Sequence, residues 1–164
     1  MISVQKVPAE YAEATMSPGM AGRIPTDWTS LLLIGPAGTG KTTVLWALHR
    51  KLVTSDDYWE GPPVYIVSEC NGISRCRYDW DTLDELAALE GVLCVDDIGY
   101  KKPCEWMIQA AYHLSTERRA HKRRTIWTTN LTREALTEQY GAAIHSRISG
   151  GHVLNTGGED KRLV

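Results

Sequence analysis

A short run of glycines followed by a lysine and a threonine is the strongest indication of chemistry in this sequence. GPAGTGKT, from Gly35 to Thr42, fits the pattern G-x-x-x-x-G-K-[ST] at every fixed position. Glycines allow positive φ values, so several backbone N–H groups can point at one anion. The pattern predicts a binding site for the phosphates of a nucleoside triphosphate. The residues predicted to bind it are Gly35, Pro36, Ala37, Gly38, Thr39, Gly40, Lys41, Thr42 and Thr43.

Lys41 and Thr42 are predicted to have separate roles. Lys41 would reach the β- and γ-phosphates, and Thr42 would bind Mg²⁺ through its hydroxyl. The alternative is an ordinary glycine-rich turn with an exposed lysine. The flanking residues favour the phosphate site, because an apolar run precedes the motif and Val44, Leu45 and Leu48 follow it at helical spacing.

Polar side chains also end two later apolar runs. Asp96 and Asp97 follow Val92-Leu93-Cys94-Val95, which predicts a buried strand with two acids at its carboxyl end. We assign Asp96 to Mg²⁺ and Asp97 to polarising the attacking water; the alternative is a solvated acidic turn. Asn130 ends TIWTTN and can orient water or the γ-phosphate if its strand lies between the other two. An ordinary helix start is its alternative.

The elements that position these residues alternate along the chain. Between the strands, Thr82 with Glu85 has capping-box spacing, Met107 to Leu114 has helical period, and Thr132 can cap a helix toward Tyr140. This alternation predicts an α/β domain with a mainly parallel sheet and helices on both faces. The predicted strands are SLLLIG, VYIVS, VLCVDD, TIWTTN and HVLN, which would make a sheet of five strands.

Composition excludes several classes of protein. The 164 residues are enough for one compact domain, and the net charge of -2 indicates neither a DNA-coating protein nor an acidic tail. No apolar run is long enough to span a bilayer and the N-terminus lacks a signal-peptide core, so we expect a soluble cytoplasmic protein without membrane contact. The spacing of the four cysteines disfavours a zinc site, and the scattered histidines support no catalytic triad.

Taken in order, GPAGTGKT, LCVDDIG, TIWTTNL and HSRISGG resemble the AAA+ ATPases of the DnaC/DnaI helicase-loader and IstB transposition-helper group. VPAEYAEATM is similar to the segment before the phosphate loop in that group. The resemblance implies a P-loop NTPase of the AAA+/ASCE class, with a three-layer α/β/α fold. It implies one AAA+ domain over residues 1–164, in which residues 1–29 pack on or near the nucleotide site and residues 30–164 form the core.

The same resemblance implies ATP hydrolysis and two arginine roles. Arg147 would act as an arginine finger in the nucleotide site of a neighbouring subunit, which requires an ATP-dependent head-to-tail oligomer. Arg162 would contact the γ-phosphate within its own subunit. The second acid, Asp97, stands where many AAA+ proteins have glutamate, so turnover is expected to be slow. A bacterial or phage-infected host cell is the expected setting.

Two basic segments are candidates for contact with single-stranded DNA. ERRAHKRRT, from Glu117 to Thr125, contains five cations, and its alternative is a solvated helix end. SRCRYDW joins Arg75 and Arg77 to Tyr78 and Trp80, and its alternative is packing of the aromatic rings on the core.

The leading hypothesis is an ATPase that acts on DNA replication complexes, with single-stranded DNA or a replicative helicase as partner. Three alternatives stay open: an IstB-like transposition helper, a nucleotide-gated DNA-binding module with little turnover, and a small-molecule P-loop kinase. A kinase would consume ATP only with its acceptor, and a nucleotide-gated module would tolerate loss of the Asp97 carboxylate.

Overall fold

The computed structural model describes residues 8–54, 65–68 and 79–157. It begins with a short 3-10 helix, Ala9–Tyr11, and then alternates helices with strands. The strands are β1 (Ser30–Ile34), β2 (Tyr65–Ser68), β3 (Leu93–Asp96), β4 (Thr125–Thr129) and β5 (His152–Asn155). The helices are α1 (Pro18–Ala21), α2 (Lys41–Thr54), α3 (Trp80–Ala88), α4 (Glu105–Ala120), α5 (Arg133–Tyr140) and α6 (Ala142–Ser149).

The five strands form one sheet in the order β2-β3-β4-β1-β5, and every pairing is parallel. The predicted α/β fold with a parallel sheet is therefore confirmed. β4 lies between β1 and β3, with Ile34 opposite Thr129 and Val95 opposite Trp127. This order fulfils the condition on which the prediction for Asn130 depended, because the strand before Asn130 separates the phosphate loop from the two acids.

Apolar side chains of the sheet alternate between two core layers. On one face, Leu32, Val95 and Trp127 pack with residues of α3, α4, α5 and α6. On the other face, Leu33 and Ile126 pack with α2 and with the segment that precedes β1. Since both faces of a parallel sheet are covered, its strands are nearly uninterrupted apolar runs, as the sequence indicated.

Two helix starts test the capping predictions. Thr132 caps α5, because its hydroxyl accepts from the backbone N–H of Ala135 at 3.2 Å, as predicted. The prediction that Thr82 caps α3 is wrong. The helix begins three residues earlier and is capped by Asp79, which accepts from the Thr82 N–H at 3.1 Å and from its hydroxyl at 2.6 Å. An aspartate is as good a cap as threonine, and Thr82 serves as the donor.

Helix α6 was not predicted as a separate element. It follows α5 directly, and Gly141 joins the two helices with φ of 88° and ψ of 153°. A residue with a Cβ would be strained at this φ value, so glycine allows the sharp change of direction. No helix in the described ranges is long and apolar enough to cross a membrane.

Candidate nucleotide-binding site

The phosphate loop lies between the carboxyl end of β1 and the amino end of α2. Gly38 and Gly40 have φ values of 79° and 86°, a conformation that only glycine adopts without strain. Helix α2 begins at Lys41, so its unpaired N–H groups and positive dipole end face the loop. This arrangement is suited to binding an anionic group.

Lys41 is buried at the base of the loop, with 5% of its surface exposed. Its ammonium group donates to the backbone carbonyls of Gly35 and Pro36, each at 2.7 Å. A lysine is rarely so buried unless its charge is satisfied, and here the loop's own carbonyls satisfy it. A bound phosphate would offer the ammonium a stronger, charged acceptor.

The back of the loop rests on the end of β5. The hydroxyls of Thr39 and Thr156 lie 2.8 Å apart, and the Thr156 N–H donates to the carbonyl of Ile34 at 2.8 Å. A Cβ on Gly35 would lie 2.6 Å from the Thr156 hydroxyl and 2.9 Å from that of Thr39. Gly35 is therefore needed because the chain segments approach closely, and Gly35 and Thr39 support the loop from behind.

A cavity of about 460 Å³ opens in front of the loop. Six residues of the predicted nucleotide set line it, and so do Asp97 and Asn130. The other lining residues are Glu10, Tyr11 and Tyr100, which the sequence analysis did not assign. Tyr11 stacks on Trp46 with ring centres 6.1 Å apart, which places an aromatic ring on one side of the cavity. The loop residues on the cavity wall are Ala37, Gly38, Gly40, Lys41, Thr42 and Thr43.

Asp96 ends β3 behind this cavity, where its carboxylate accepts from the Thr128 hydroxyl at 2.6 Å. Burial raises the pKa of Asp96, and the neighbouring Asp97 raises it further. The hydroxyls of Thr128 and Thr42 and the charge of Lys41 act in the opposite direction. Thr128 was missed as a site residue, although two threonines before Asn130 at a strand end were a usable signal.

Hard oxygen donors around Asp96 fit Mg²⁺. The Asp96 carboxylate lies close enough to Thr42 for the threonine hydroxyl to lower its pKa, so the two side chains converge. Within the described ranges, no group of three or more His, Cys, Asp or Glu side chains could hold a metal ion. Mg²⁺ in nucleotide sites uses one or two protein oxygens together with phosphates and water, so this pair suffices.

Asp97 and Asn130 meet at the edge of the cavity. The Asn130 side-chain amide donates to the Asp97 carboxylate at 3.3 Å. Asp97 has a φ of 57°, an uncommon conformation for a residue with a Cβ. It is held there because its N–H donates to the Thr128 hydroxyl at 2.8 Å and the following Ile98 N–H donates to the Thr128 carbonyl at 2.9 Å.

Comparison with solved structures identifies the fold. A crystal structure of the DnaC helicase loader superposes with a TM-score of 0.74 at 18% identity, over 90% of this chain and 99% of that one. A crystal structure of DnaI gives a TM-score of 0.70 at 19% identity, over 91% and 94% of the two chains. The chain has the fold of an AAA+ ATPase domain. No protein-family model matches the sequence, and no curated protein matches it.

A third AAA+ structure carries ligands. The replication initiator DnaA bound to AMPPCP and single-stranded DNA gives a TM-score of 0.64 at 17% identity. The match covers 79% of this chain but 41% of that protein. The shared part is thus the AAA+ fold, and the rest of DnaA has no counterpart in this match.

Arg147 lies far from the phosphate loop of its own chain. It is near the end of α6, where the next residue, Ile148, accepts at its carbonyl from the Ser30 hydroxyl at 2.7 Å. Ser30 begins β1, whereas Gly35 follows its other end, so roughly 13 Å of strand separates the two edges of the sheet. The structure therefore does not bring Arg147 together with Lys41, Asp97 and Asn130 within one chain.

Side-chain contacts hold Arg147 without neutralising its charge. Its guanidinium lies over the Tyr112 ring, 4.7 Å from the ring centre. It donates to the Ala143 carbonyl at 2.9 Å and to the Tyr112 hydroxyl at 3.4 Å. Arg162, the second predicted arginine of the site, lies outside the described residues.

The basic segment ERRAHKRRT divides into structural and free cations. Arg118 is 1% exposed and donates to the Thr125 hydroxyl and to five backbone carbonyls. Burial lowers its pKa to about 10. Arg123 binds the Glu90 carboxylate at 3.1 Å, and Arg124 donates to the Thr26 carbonyl at 2.8 Å. Most of the cations in this segment therefore bind other parts of the chain, and they do not form a continuous basic surface for DNA.

The second candidate for DNA contact is described only at its end. Arg75, Arg77 and Tyr78 lie outside the described residues. Trp80 is 46% exposed and packs edge-on against Trp106 with ring centres 4.9 Å apart. Part of this ring thus packs on the core, as the alternative reading predicted, while the rest faces solvent.

Proposed function

We propose that this protein is an ATP-binding and ATP-hydrolysing AAA+ protein that acts on DNA replication complexes. One observation carries the proposal: β4 lies between β1 and β3, so that Asn130 contacts Asp97 at the mouth of the cavity formed by the phosphate loop. A phosphate loop alone would serve many reactions. A second acid and an amide beside it provide the groups that position a water for attack on a γ-phosphate.

In this proposal the loop binds the triphosphate and the strand ends act on the water. N–H groups of the loop and of the α2 amino end would bind the β-phosphate, and Lys41 would leave its carbonyl partners for the β- and γ-phosphates. Thr42 and Asp96 would hold Mg²⁺. When bound, the ion would neutralise charge that develops on the phosphate oxygens.

The hydrolytic step would use the pair formed by Asp97 and Asn130. Asp97 would accept a hydrogen bond from the water, and the Asn130 amide would fix the carboxylate and the γ-phosphate relative to each other. Attack of the water oxygen on the γ-phosphorus would break the bond between the γ-phosphorus and the oxygen that bridges it to the β-phosphate. ADP and phosphate would be released. Arg147 of a neighbouring copy would stabilise the charge of this transition state.

The proposed assembly and partners rest on further observations. Because Arg147 lies at the opposite edge of the sheet from its own phosphate loop, a role in hydrolysis requires a head-to-tail oligomer. The similar structures include a helicase loader and a replication initiator bound to single-stranded DNA. We therefore propose single-stranded DNA, a replicative helicase or both as partners of a cytoplasmic protein organised as a single AAA+ domain.

The test is steady-state ATP hydrolysis as a function of protein concentration, with and without single-stranded DNA. The wild type is compared with Lys41→Ala, Arg147→Ala and the exposed control Arg133→Ala. We expect a rate per subunit that rises with concentration, is lost in the first two variants and is kept in the control. Binding of ATP should persist in Arg147→Ala. A rate that is independent of concentration and of Arg147 would refute the trans assembly.

A second function, nucleotide-gated binding with very slow turnover, is favoured by the short side chain of Asp97. Its carboxylate already accepts from Asn130, which restricts its reach toward a water. For this function, ATP-dependent DNA binding should survive Asp97→Asn almost unchanged. In a hydrolysis-driven protein the same variant should instead stay trapped in its ATP-bound state, which a filter-binding time course would detect.

A further inference from the structure

A second polar cavity of about 540 Å³ lies between the end of α4 and α6. It is open to solvent and separate from the nucleotide cavity, with which it shares no lining residue. Two arginines face it from different helices. Its lining residues are Thr116, Arg119, Ala120, Ser146 and Arg147.

The positive charge of this cavity is not balanced from within the described part of the chain. None of the ion pairs found there involves Arg119 or Arg147. The buried hydroxyl of Thr116 likewise has no hydrogen-bond partner among the described residues. Two guanidinium groups beside the exposed side chain of Ser146 are a donor set that fits a phosphate group.

The guanidinium of Arg119 lies against the turn after α6. A Cβ on Gly150 would lie 2.8 Å from the Arg119 Nη1 and 2.5 Å from the carbonyl of Ser146. The absence of a side chain at Gly150 therefore leaves space for the guanidinium against α6. Arg118, one residue earlier, points into the core, so adjacent arginines of α4 have different roles.

We propose that Arg119 and Arg147 together bind the terminal phosphates of a nucleotide held by a neighbouring copy of this chain. The inference rests on the proposed function and adds a second phosphate-binding arginine to it. The cavity lies at the edge of the sheet opposite the phosphate loop, since α4 and α6 both end near the first residues of β4 and β1. Its ligand must therefore come from another molecule.

The two arginines have complementary roles in this site. Arg147 is oriented by Tyr112 and Ala143, which fixes the direction of its donors. Arg119 is exposed and its guanidinium has no acceptor among the residues that the structure describes, so it can turn toward the phosphate that Arg147 engages. A single arginine often contacts two oxygens of a phosphate through its forked donors, and two arginines together can contact all three oxygens of one terminal phosphate.

The experiment measures how fast a fluorescent, non-hydrolysable ATP analogue leaves a donor chain. The donor carries Arg119→Ala and Arg147→Ala, so it supplies only a nucleotide site. Acceptor chains carry Lys41→Ala, so they supply only the two-arginine face. We expect the Lys41→Ala acceptor to slow dissociation roughly tenfold, as hydrogen bonds to charged groups allow. An acceptor that also carries Arg119→Ala should lose most of this slowing.

Lys122→Ala is the matched control, because Lys122 is exposed just beyond the same helix and does not line the cavity. An acceptor with this change should slow dissociation as fully as the parent acceptor. Equal slowing with and without Arg119 would overturn the inference while leaving the proposed function intact. If the donor bound no analogue, the proposed function would fail and the inference with it.

Single-stranded DNA is the competing source of phosphate. Binding of a labelled oligothymidylate to the wild type and to Arg119→Ala is measured in parallel at two salt concentrations. We expect the wild type and Arg119→Ala to bind the oligothymidylate with equal affinity. Weaker DNA binding by the variant, together with unchanged dissociation of the analogue, would assign the cavity to nucleic acid and overturn the inference.

Discussion

Charged side chains have different surroundings at the two edges of the sheet, which are formed by the carboxyl ends and the amino ends of its strands. At the phosphate-loop edge, Lys41 is bound to two carbonyls and Asp96 to a threonine hydroxyl, so both buried charges have partners within the chain. At the other edge, Arg119 and Arg147 face an open cavity without an acidic partner among the described residues. In the function proposed above, the first edge would bind the phosphates of a nucleotide, and the second edge would contact phosphates bound by a neighbouring copy.

Arg118 extends this comparison. It lies at the second edge, but its buried charge has partners within the chain, as the charges at the first edge do. Its guanidinium donates to the carbonyls of Leu86, Ala87 and Leu89 at the end of α3, and to two more before β3 and β4. Burial of a charge is tolerated only when such bonds are made. A cation next to a binding cavity can thus be entirely structural.

The largest expected effect is on folding, from Arg118→Met. The substitution keeps volume but leaves five buried carbonyls without their donor, so we expect a loss of about 3–5 kcal/mol in the free energy of unfolding. Arg119→Met should change it by less than about 0.5 kcal/mol. Urea unfolding followed by circular dichroism measures both. Equal costs at the two positions would contradict the division between structural and free arginines.

Next in size is the loss of the Asn130 amide. Asn130→Ala removes the donor to Asp97, so we expect kcat for ATP hydrolysis to fall roughly 10²–10³-fold, as for other positioned donors. Affinity for ATP should stay close to that of the wild type, because the loop is untouched. The exposed Gln109→Ala serves as control. A variant that lost ATP affinity but kept kcat would place Asn130 in ground-state binding instead.

A smaller effect is expected at Gly35, where the loop meets β5. Gly35→Ala inserts a Cβ against the hydroxyls of Thr39 and Thr156, with an expected cost of about 1–3 kcal/mol from overpacking. Adding Thr156→Ala should recover part of the loss. Gly19→Ala is the control, since nothing lies within 4 Å of its added Cβ. Calorimetric melting of the wild type, these three variants and the single variant Thr156→Ala tests this, and additive effects in the double variant would count against direct contact.

The smallest expected effect is a gain in stability from Asp96→Asn, measured without Mg²⁺ or nucleotide. Burial raises the pKa of Asp96 above the usual value of an aspartate, so its ionised form costs stability at neutral pH. At pH 8 the variant should melt at a higher temperature than the wild type, by about 2–4 °C for each 1 kcal/mol gained in the free energy of unfolding.

The pH dependence of this gain has a definite sign. As the pH falls toward the raised pKa, Asp96 takes up a proton in the folded state and the advantage of asparagine shrinks. For the exposed control Asp27→Asn, the difference in melting temperature from the wild type should not change with pH. If the difference in melting temperature between Asp96→Asn and the wild type grew as the pH fell, the folded state would be stabilising the Asp96 carboxylate instead.

The strands, the loop and the position of the two acids at a strand end were predicted correctly because each depends on local patterns. An apolar run before GPAGTGKT and helical spacing after it are enough to place β1 and α2. The start of α3 was misplaced by three residues, since Asp79 and Thr82 are both capable caps and only the fold selects one. Thr128 and Tyr11 were missed because their roles depend on neighbours distant in sequence.

By itself, the sequence determined which residues could bind phosphate and metal, since glycine spacing, a lysine and strand-end acids act through the local backbone. The tertiary structure decided which of the arginines carries a free charge. Arg118 and Arg119 are adjacent and chemically identical, and no pattern separates them. Helical geometry turns successive residues by about 100°, so one meets the carbonyls of α3 and the other meets solvent beside α6.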